Sequence, residues 1–574
     1  MNTAASDAAT TTPAAAAPAW HLFVPKLYTV LRQGYGLAAL RADILAGLTV
    51  AIVALPLAMA LAIASGTTPD KGLVTAVVGG LFGSALGGAR FNISGPTGAF
   101  VVVVFGVIER HGYDGLVLAT LMAAAMLVAA GLFRLGTWIK YIPEPVVVGF
   151  TAGIAVIIFS SQVRDLLGLE IAALPGAVAA QWRAFWQARA SLSPTAIAVS
   201  AGALALILGL RRLAPRAPGF LIAVTAAGIA AHAGLPVETI GSRFGTVSGA
   251  IPAPSLPAVT FERLGALVGP AFTIAFLAGL ESLLCAVVAD GMTGRRHRSN
   301  CELVAQGIAN AASALVGGLP VTGAIARTAT AIRAGARSPL TGIFHALFLL
   351  AFMQVAMPLA AYVPLAALAA VLVVVAWNMS ERHKIRHIMA TAPVGERLVL
   401  ALTFALTVLV DLTVAIEVGV VLSAILFMHG MAEAVSLSRD GAAILVADQD
   451  DFARPREDRY VQRDALPPGV EVFQLRGPLF FGAAGRLADA LDMLPERPRV
   501  FILRMREVPF IDTTGVAALA DFVRRNRAQG TTVIATGVQP QPLAVMRRMG
   551  LTGETAGFAI ARDFAAALEI ARAG

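Results

Sequence analysis

One carboxylate stands out for where it lies. Glu281 sits in Phe276-Leu277-Ala278-Gly279-Leu280-Glu281-Ser282-Leu283-Leu284-Cys285, inside a long apolar run. A charged side chain at the centre of a bilayer costs about 2.5–3.5 kcal/mol on insertion scales. Such a group binds a proton or cation that moves with a substrate, or it pairs with a neighbouring helix. Arg327, in Ala326-Arg327-Thr328, is the second candidate. It supplies fixed positive potential for an anion, or it snorkels to the interface. Asp290 and Asp411 fall near the ends of apolar runs and read as interfacial. His297 belongs to the basic stretch Arg295-Arg296-His297-Arg298. Cys285 and Cys301 are the chain's 2 cysteines and form no disulfide framework. The apolar runs carry no metal-ligand spacing and no nucleophile–base motif, so neither a metal site nor an enzyme is expected.

Two stretches repeat each other. One is Gly87-Gly88-Ala89-Arg90-Phe91-Asn92-Ile93-Ser94-Gly95-Pro96-Thr97-Gly98-Ala99, the other Gly317-Gly318-Leu319-Pro320-Val321-Thr322-Gly323-Ala324. Each closes one apolar run with a Gly pair and opens the next with Pro, Thr, Gly and Ala. Pro96 and Pro320 hold the preceding residues out of the helical region, so helices should start at about Thr97 and Gly323. A helix start presents unpaired N–H groups and the positive end of a dipole. Two such starts facing each other within the membrane make a site for an anion. Glycine and proline could instead serve only close helix packing, but packing alone does not call for a matched pair.

The elements that must position these residues follow from composition. Of the 574 residues 57% are hydrophobic and 14% charged, with a mean hydropathy of +0.76. Soluble domains carry about 25% charged residues, so many segments here must have lipid as their solvent. Fourteen spans are expected, at about 43–64, 71–87, 97–109, 115–133, 145–161, 193–210, 219–233, 265–290, 302–316, 323–335, 339–357, 363–379, 396–411 and 414–431. With the N-terminus inside, 18 Lys and Arg lie on inner segments and 7 on outer ones. That asymmetry fits the positive-inside rule and places both termini in the cytoplasm. The repeated stretches open spans three and ten. Seven is an odd offset, so the two halves run in opposite directions, an inverted 7+7 repeat. The net charge of +9 lies in short loops, which argues against nucleic acid as a partner.

Residues 1–40 read as a cytoplasmic tail, 41–433 as the membrane domain, 434–468 as a polar linker and 469–574 as a soluble α/β domain. The linker carries Asp448, Asp450, Asp451, Arg454 and Arg456. In the last domain, strands Val472–Leu475, Val500–Leu503 and Thr532–Thr536 alternate with helices near Ala483–Leu494, up to Arg527, and near Pro542–Met549. Alternating strands and helices imply a sheet covered by helices.

These residues resemble the sulfate permease family, which includes the animal solute carrier family 26 exchangers. The resemblance rests on Gly47-Leu-Thr-Val-Ala-Ile-Val-Ala-Leu-Pro56, Ile93-Ser-Gly-Pro-Thr97, the Glu281 segment, Asn300-Cys-Glu-Leu-Val-Ala-Gln-Gly307 and Gly323-Ala-Ile-Ala-Arg-Thr328, and covers about residues 40–560. Within the family the chain looks most like the bacterial C4-dicarboxylic acid transporters, through Glu281-Ser-Leu-Leu-Cys285, Asp290-Gly-Met-Thr-Gly294 and Val375-Ala-Trp-Asn-Met-Ser-Glu381. The resemblance implies a mobile core of spans 1–4 and 8–11, a gate of spans 5–7 and 12–14, and a homodimer. It places the substrate among Ser94, Thr97 and Gly98 at one helix start and Thr322, Gly323, Ala324 and Arg327 at the other. Glu281 takes the coupling position. Sodium-coupled bicarbonate members have an Asp there and a hydroxyl residue four positions on. The pair here is Glu281 and Cys285, which favours protons. Leu57 stands where animal members have a polar residue after Pro56. The C-terminal domain resembles a STAS domain, and its Asp512-Thr513-Thr514-Gly515 loop matches the loop phosphorylated in anti-sigma-factor antagonists. Thr513 could accept phosphate, although a plain helix cap is the simpler reading.

The expected function is secondary transport of small anions across a bacterial inner membrane, without a cofactor. Proton-coupled symport of C4-dicarboxylates such as succinate and fumarate stands first. Sulfate or bicarbonate transport, or an uncoupled exchanger or channel, is the alternative. A membrane-anchored signalling protein is disfavoured by the paired broken spans, since an anchor needs no cavity.

Overall fold

The computed structural model describes residues 19–137, 143–172, 174–214, 217–439, 444–445, 460–461, 466–481 and 498–573. The chain divides into two compact units, Met1–Val420 and Val421–Gly574.

The first unit is helical. Its helices are α1 (Lys26–Arg32), α2 (Leu37–Ala64), α3 (Pro69–Val74), α4 (Gly80–Leu86), α5 (Gly98–Leu132), α6 (Glu144–Leu167), α7 (Val178–Gln187), α8 (Pro194–Leu213) and α9 (Gly219–His232). The chain continues through α10 (Ile240–Phe244), α11 (Phe261–Thr293), α12 (Ser299–Leu315), α13 (Ile325–Arg333), α14 (Leu340–Ala360), α15 (Leu365–Met379), α16 (Arg382–Thr391) and α17 (Val394–Leu409). α18 (Leu412–Glu433) runs on into the second unit. Among the described residues, 8 helical segments are individually long and apolar enough to cross a bilayer: α2, α5, α6, α8, α11, α14, α18 and the stretch Leu365–Thr391. That stretch turns at Glu381, φ 40°. The expected segments 219–233, 302–316, 323–335 and 396–411 coincide with the shorter helices α9, α12, α13 and α17.

Breaks in the helices have local causes. α5 bends at Gly112, whose φ of 69° and ψ of 179° are not helical, between the expected third and fourth spans. A π-turn at Thr75–Gly79 separates α3 from α4 within the expected second span. Small residues bring the helices close. A methyl on Gly47 of α2 would stand 2.8 Å from Phe344 Cβ of α14. One on Gly307 of α12 would stand 2.8 Å from Ala124 O of α5. Bilayer helices pack through such small residues because lipid supplies no hydrophobic drive between them.

The two repeated stretches meet. Ser94–Gly95 (β1) and Thr322–Gly323 (β2) pair antiparallel, Ser94 opposite Gly323 and Gly95 opposite Thr322. Extended backbone at membrane depth survives because each strand satisfies the other.

The second unit is α/β. Strands β3 (Ser436–Arg439), β6 (Val470–Arg476), β7 (Val500–Glu507), β8 (Thr532–Thr536) and β9 (Phe558–Ala561) form one sheet in that order, antiparallel between β3 and β6 and parallel elsewhere. Ile444–Leu445 (β4) and Tyr460–Val461 (β5) pair separately. Among the described residues, helices Thr513–Ala528, Pro540–Arg548 and Phe564–Ala573 accompany the sheet. Phe473, Phe501 and Phe522 are buried on one face of the sheet, and Val472, Ile502 and Ile534 on the other. β3 uses residues that the sequence assigns to the linker. The expected helix near Ala483–Leu494 and the acidic stretch at Asp448–Asp451 lie outside the described residues.

Candidate anion-binding site

The site grows from the β1–β2 pair. Pro96 and Thr97 follow β1, and α5 starts at Gly98 with Thr97 extended at its N-cap, φ −127° and ψ 160°. After β2, Ala324 is extended at the N-cap of α13, which starts at Ile325. Both starts fall one or two residues later than expected. Strand pairing holds the two starts together, with about 4.8 Å between paired backbones. The first N–H groups of each helix lack intrahelical acceptors, and both dipoles point their positive ends at the same place.

Glu281 reaches this place from α11. Its carboxylate Oε2 accepts a hydrogen bond from Thr97 Oγ1 at 2.9 Å, and part of the side chain stays open. The neighbouring Ser282 holds the other start. Gly323 N donates to Ser282 Oγ at 2.9 Å, and the Ser282 and Thr322 hydroxyls lie 3.0 Å apart. Cys285 Sγ donates to Thr328 Oγ1 at 3.2 Å, and Ile93 N donates to the same oxygen at 3.0 Å. One face of α11 therefore touches both helix starts.

Arg327 does not snorkel. It is 2% exposed, and its Nη2 donates to Pro96 O at 3.0 Å. Its Nε and Nη1 have no protein partner. Gly95 makes the room, because a Cβ there would collide with Arg327 Nη1. A buried guanidinium with free N–H groups, placed behind the start of α5, adds positive potential in a low-dielectric setting. Gly98 lets the α5 start approach α15, where an added methyl would stand 2.6 Å from Met379 Sδ.

Sequence reasoning missed the scaffold behind the strands. α12 carries Glu302, Gln306, Asn310 and Ser313 on one buried face. Glu302 accepts from Ala89 N at 2.8 Å and from Asn92 Nδ2 at 2.5 Å. Gln306 Nε2 donates to Ser94 Oγ at 2.7 Å. Asn310 bonds both Val321 N and Val321 O at 2.8 Å. Ser313 Oγ donates to Leu319 O at 2.7 Å, and Leu319 N donates to Thr75 Oγ1 at 2.7 Å. The spacing i, i+4, i+8, i+11 was the available signal. Asp43 was also missed. It is fully buried and accepts from Tyr35, Thr341 and the Arg337 and Ser338 backbone, which ties the start of α2 to α14. Asp290, near the end of α11, has its Oδ2 2.7 Å from His297 Nδ1. In the second unit Asp512 caps its helix, accepting from Gly515 N at 2.7 Å, and Thr513 is exposed beside it.

Residues 40–403 match the sulfate permease family and residues 465–566 the STAS domain. The chain belongs to the sulfate permease family. It is 39% identical to the "Putative sulfate transporter YvdB" of Bacillus subtilis, over 90% of this chain and 95% of that one. It is 30% identical to the bicarbonate transporter BicA of Picosynechococcus, over 89% and 91% of the two chains. The structure of murine solute carrier 26 family member A9 in the inward-facing state has the same fold, with a TM-score of 0.84 at 17% identity over 98% and 96% of the chains. The transmembrane domain of a cyanobacterial BicA gives a TM-score of 0.60 at 31% identity, over 66% of this chain and 98% of that one. This sulfate permease family member is thus a polytopic anion transporter with a STAS domain.

Proposed function

We propose that the protein carries a small inorganic oxyanion, sulfate or bicarbonate, and that Glu281 couples its movement to protons. The observation that carries this reading is the Thr97–Glu281 hydrogen bond. It joins the one carboxylate of α11 that faces the strand pair to the start of α5. An anion held at the two helix starts by Thr97, Gly98, Gly323 and Ala324, with Arg327 behind, would lie against that carboxylate. Protonating Glu281 removes a like charge from the anion's neighbourhood, so proton and anion binding favour each other. Cys285 gives its thiol to Thr328 and offers no oxygen to sodium, which hard cations require.

The substrate order expected from sequence changes. Of the relatives above, YvdB is named a putative sulfate transporter and BicA a bicarbonate transporter, and neither name favours C4-dicarboxylates. The same reading takes the membrane unit as fourteen spans in a 7+7 inverted repeat, dividing into core and gate. It takes the protein as a homodimer in a bacterial inner membrane, with both termini and the STAS domain in the cytoplasm. Residues 1–40, 41–433, 434–468 and 469–574 are then the tail, transport domain, linker and STAS domain.

Uptake of labelled sulfate, bicarbonate and succinate into proteoliposomes tests this, with and without an inward proton gradient, on the wild type and on Glu281→Gln. Sulfate or bicarbonate uptake that rises with the gradient, and loses that rise in Glu281→Gln, is expected. Succinate uptake alone would restore the dicarboxylate order. Flux that ignores both gradient and mutation would make the protein an uncoupled exchanger or channel.

A further inference from the structure

Three segments that carry basic side chains meet beside the start of the chain's helical part, where Lys26 N donates to Gly87 O and Arg298 N to Gly88 O, each at 2.9 Å. Lys26 lies at the start of α1, Arg90 in the segment leading to β1, and Arg295 and Arg298 between α11 and α12. The N-terminal segment is fastened there. Lys26 N donates to Gly87 O at 2.9 Å, and Arg298 Nη1 donates to Val24 O at 2.6 Å and to Thr29 Oγ1 at 3.0 Å. Burial first, then the charge of Arg298 and more weakly that of Arg90, hold the Lys26 ammonium below its usual range, against the pull of Asp290. Arg90 is held down likewise by burial and by Arg295.

The nearby carboxylates are engaged elsewhere. Asp290 is bonded by the His297 ring and by His297 N, at 2.7 and 2.9 Å. Asp43 is taken by hydroxyls and backbone N–H groups. Among the described residues, no carboxylate comes within ion-pair distance of Lys26, Arg90, Arg295 or Arg298. Basic residues that only set orientation can stay apart in water; these are gathered from three segments at a cost in mutual repulsion.

The same N-terminal segment turns large apolar groups outward. Trp20 is 65% exposed, Tyr28 57% and Leu31 50%. Aromatic and aliphatic groups beside basic ones, just before a membrane-crossing helix, belong at the headgroup level of a bilayer.

We propose that Lys26, Arg90, Arg295 and Arg298 bind the phosphate headgroup of an anionic phospholipid, with Trp20, Tyr28 and Leu31 against its acyl chains. The headgroup supplies the missing negative charge, and the apolar face selects a lipid over a free oxyanion. The site borders the transport machinery. Arg298 N donates to Gly88 O at 2.9 Å, and Ala89 N donates to Glu302 on the next turn of α12. A bound lipid therefore braces the segment that runs into β1.

The test is native mass spectrometry of the full-length protein with phosphatidylglycerol or phosphatidylcholine supplied, on Lys26→Gln, Arg90→Gln, Arg295→Gln and Arg211→Gln. Arg211 is an exposed basic residue at the end of α8, away from this cluster. The wild type should retain phosphatidylglycerol over phosphatidylcholine. Each cluster substitution should weaken that retention roughly fivefold, as the loss of one basic residue at an anionic surface does, and Arg211→Gln should not. Arg295 is exposed, so its variant carries the test if a more buried substitution fails to fold. Equal retention in wild type and cluster variants overturns the proposal. So does displacement of the lipid by millimolar inorganic sulfate, which would make the cluster a free-oxyanion site.

Discussion

Thr97 and Glu281 are 184 residues apart in the chain and 2.9 Å apart in space. The sequence shows each for a different reason: the glutamate because lipid makes it costly, the threonine because it repeats at Thr322. It does not show that they touch. Nor does it show that Arg327 is buried, because a lone arginine near a helix start reads equally as snorkelling. The contact makes a prediction at this scale. Thr97→Val removes a hydroxyl that faces the Glu281 carboxylate and, in the proposed site, the anion at the α5 start. A hydrogen bond to a charged group is worth about 1.5–3 kcal/mol, so losing the bond to the anion should raise its half-saturating concentration roughly tenfold or more in proteoliposome uptake. Thr97→Ser keeps the donor and should stay near the wild type. A Thr97→Val transporter with unchanged saturation would mean that the anion does not contact the Thr97 hydroxyl.

At the scale of elements, the sequence makes the two broken spans visible because Gly and Pro punctuate them. It hides what holds them. β1 and β2 are two residues each, too short for any periodicity, and their other partners lie on α12 and α11, with Asn310 of α12 holding Val321 just before β2. Glu302, Gln306, Asn310 and Ser313 look like ordinary polar interruptions until the strands are placed beside them. Asn310 does the work of a third strand, giving Val321 both a donor and an acceptor. Asn310→Leu should therefore strip two buried backbone groups of their partners, at about 1–3 kcal/mol each. Thermal unfolding in detergent should show a lower midpoint, and transport should fall with it because the α13 start is no longer fixed. Asn310→Asp keeps the acceptor for Val321 N alone and should fall between. If Asn310→Leu unfolds at the wild-type temperature, α12 is not the support of β2.

For the whole molecule, the question is how often the chain crosses. Among the described residues, length and hydropathy pick out 8 helical segments, while the charge asymmetry and the inverted repeat ask for fourteen. α5 helps to decide between them. Its 35 residues would extend about 52 Å as one straight helix, against a hydrocarbon core of about 30 Å. Glu109, Arg110, His111 and Asp114 cluster where Gly112 breaks it, and charged groups gathered so belong at a membrane surface rather than midway through. Two counts with the same even parity put the termini on one side, so the termini cannot tell them apart. The connections flanking α11 can. Starting from an inner N-terminus, eight crossings place the connection before α11 inside and the one after it outside; fourteen reverse both. The chain's 2 native cysteines, Cys285 and Cys301, are buried, which leaves a quiet background for labelling. Cysteines introduced at the exposed positions Ala258 and Arg296 then answer directly. In intact spheroplasts an impermeant maleimide should label Ala258→Cys at once and Arg296→Cys only after the membrane is opened. The opposite pattern would return the count to eight and unmake the opposed repeats on which the paired helix starts depend.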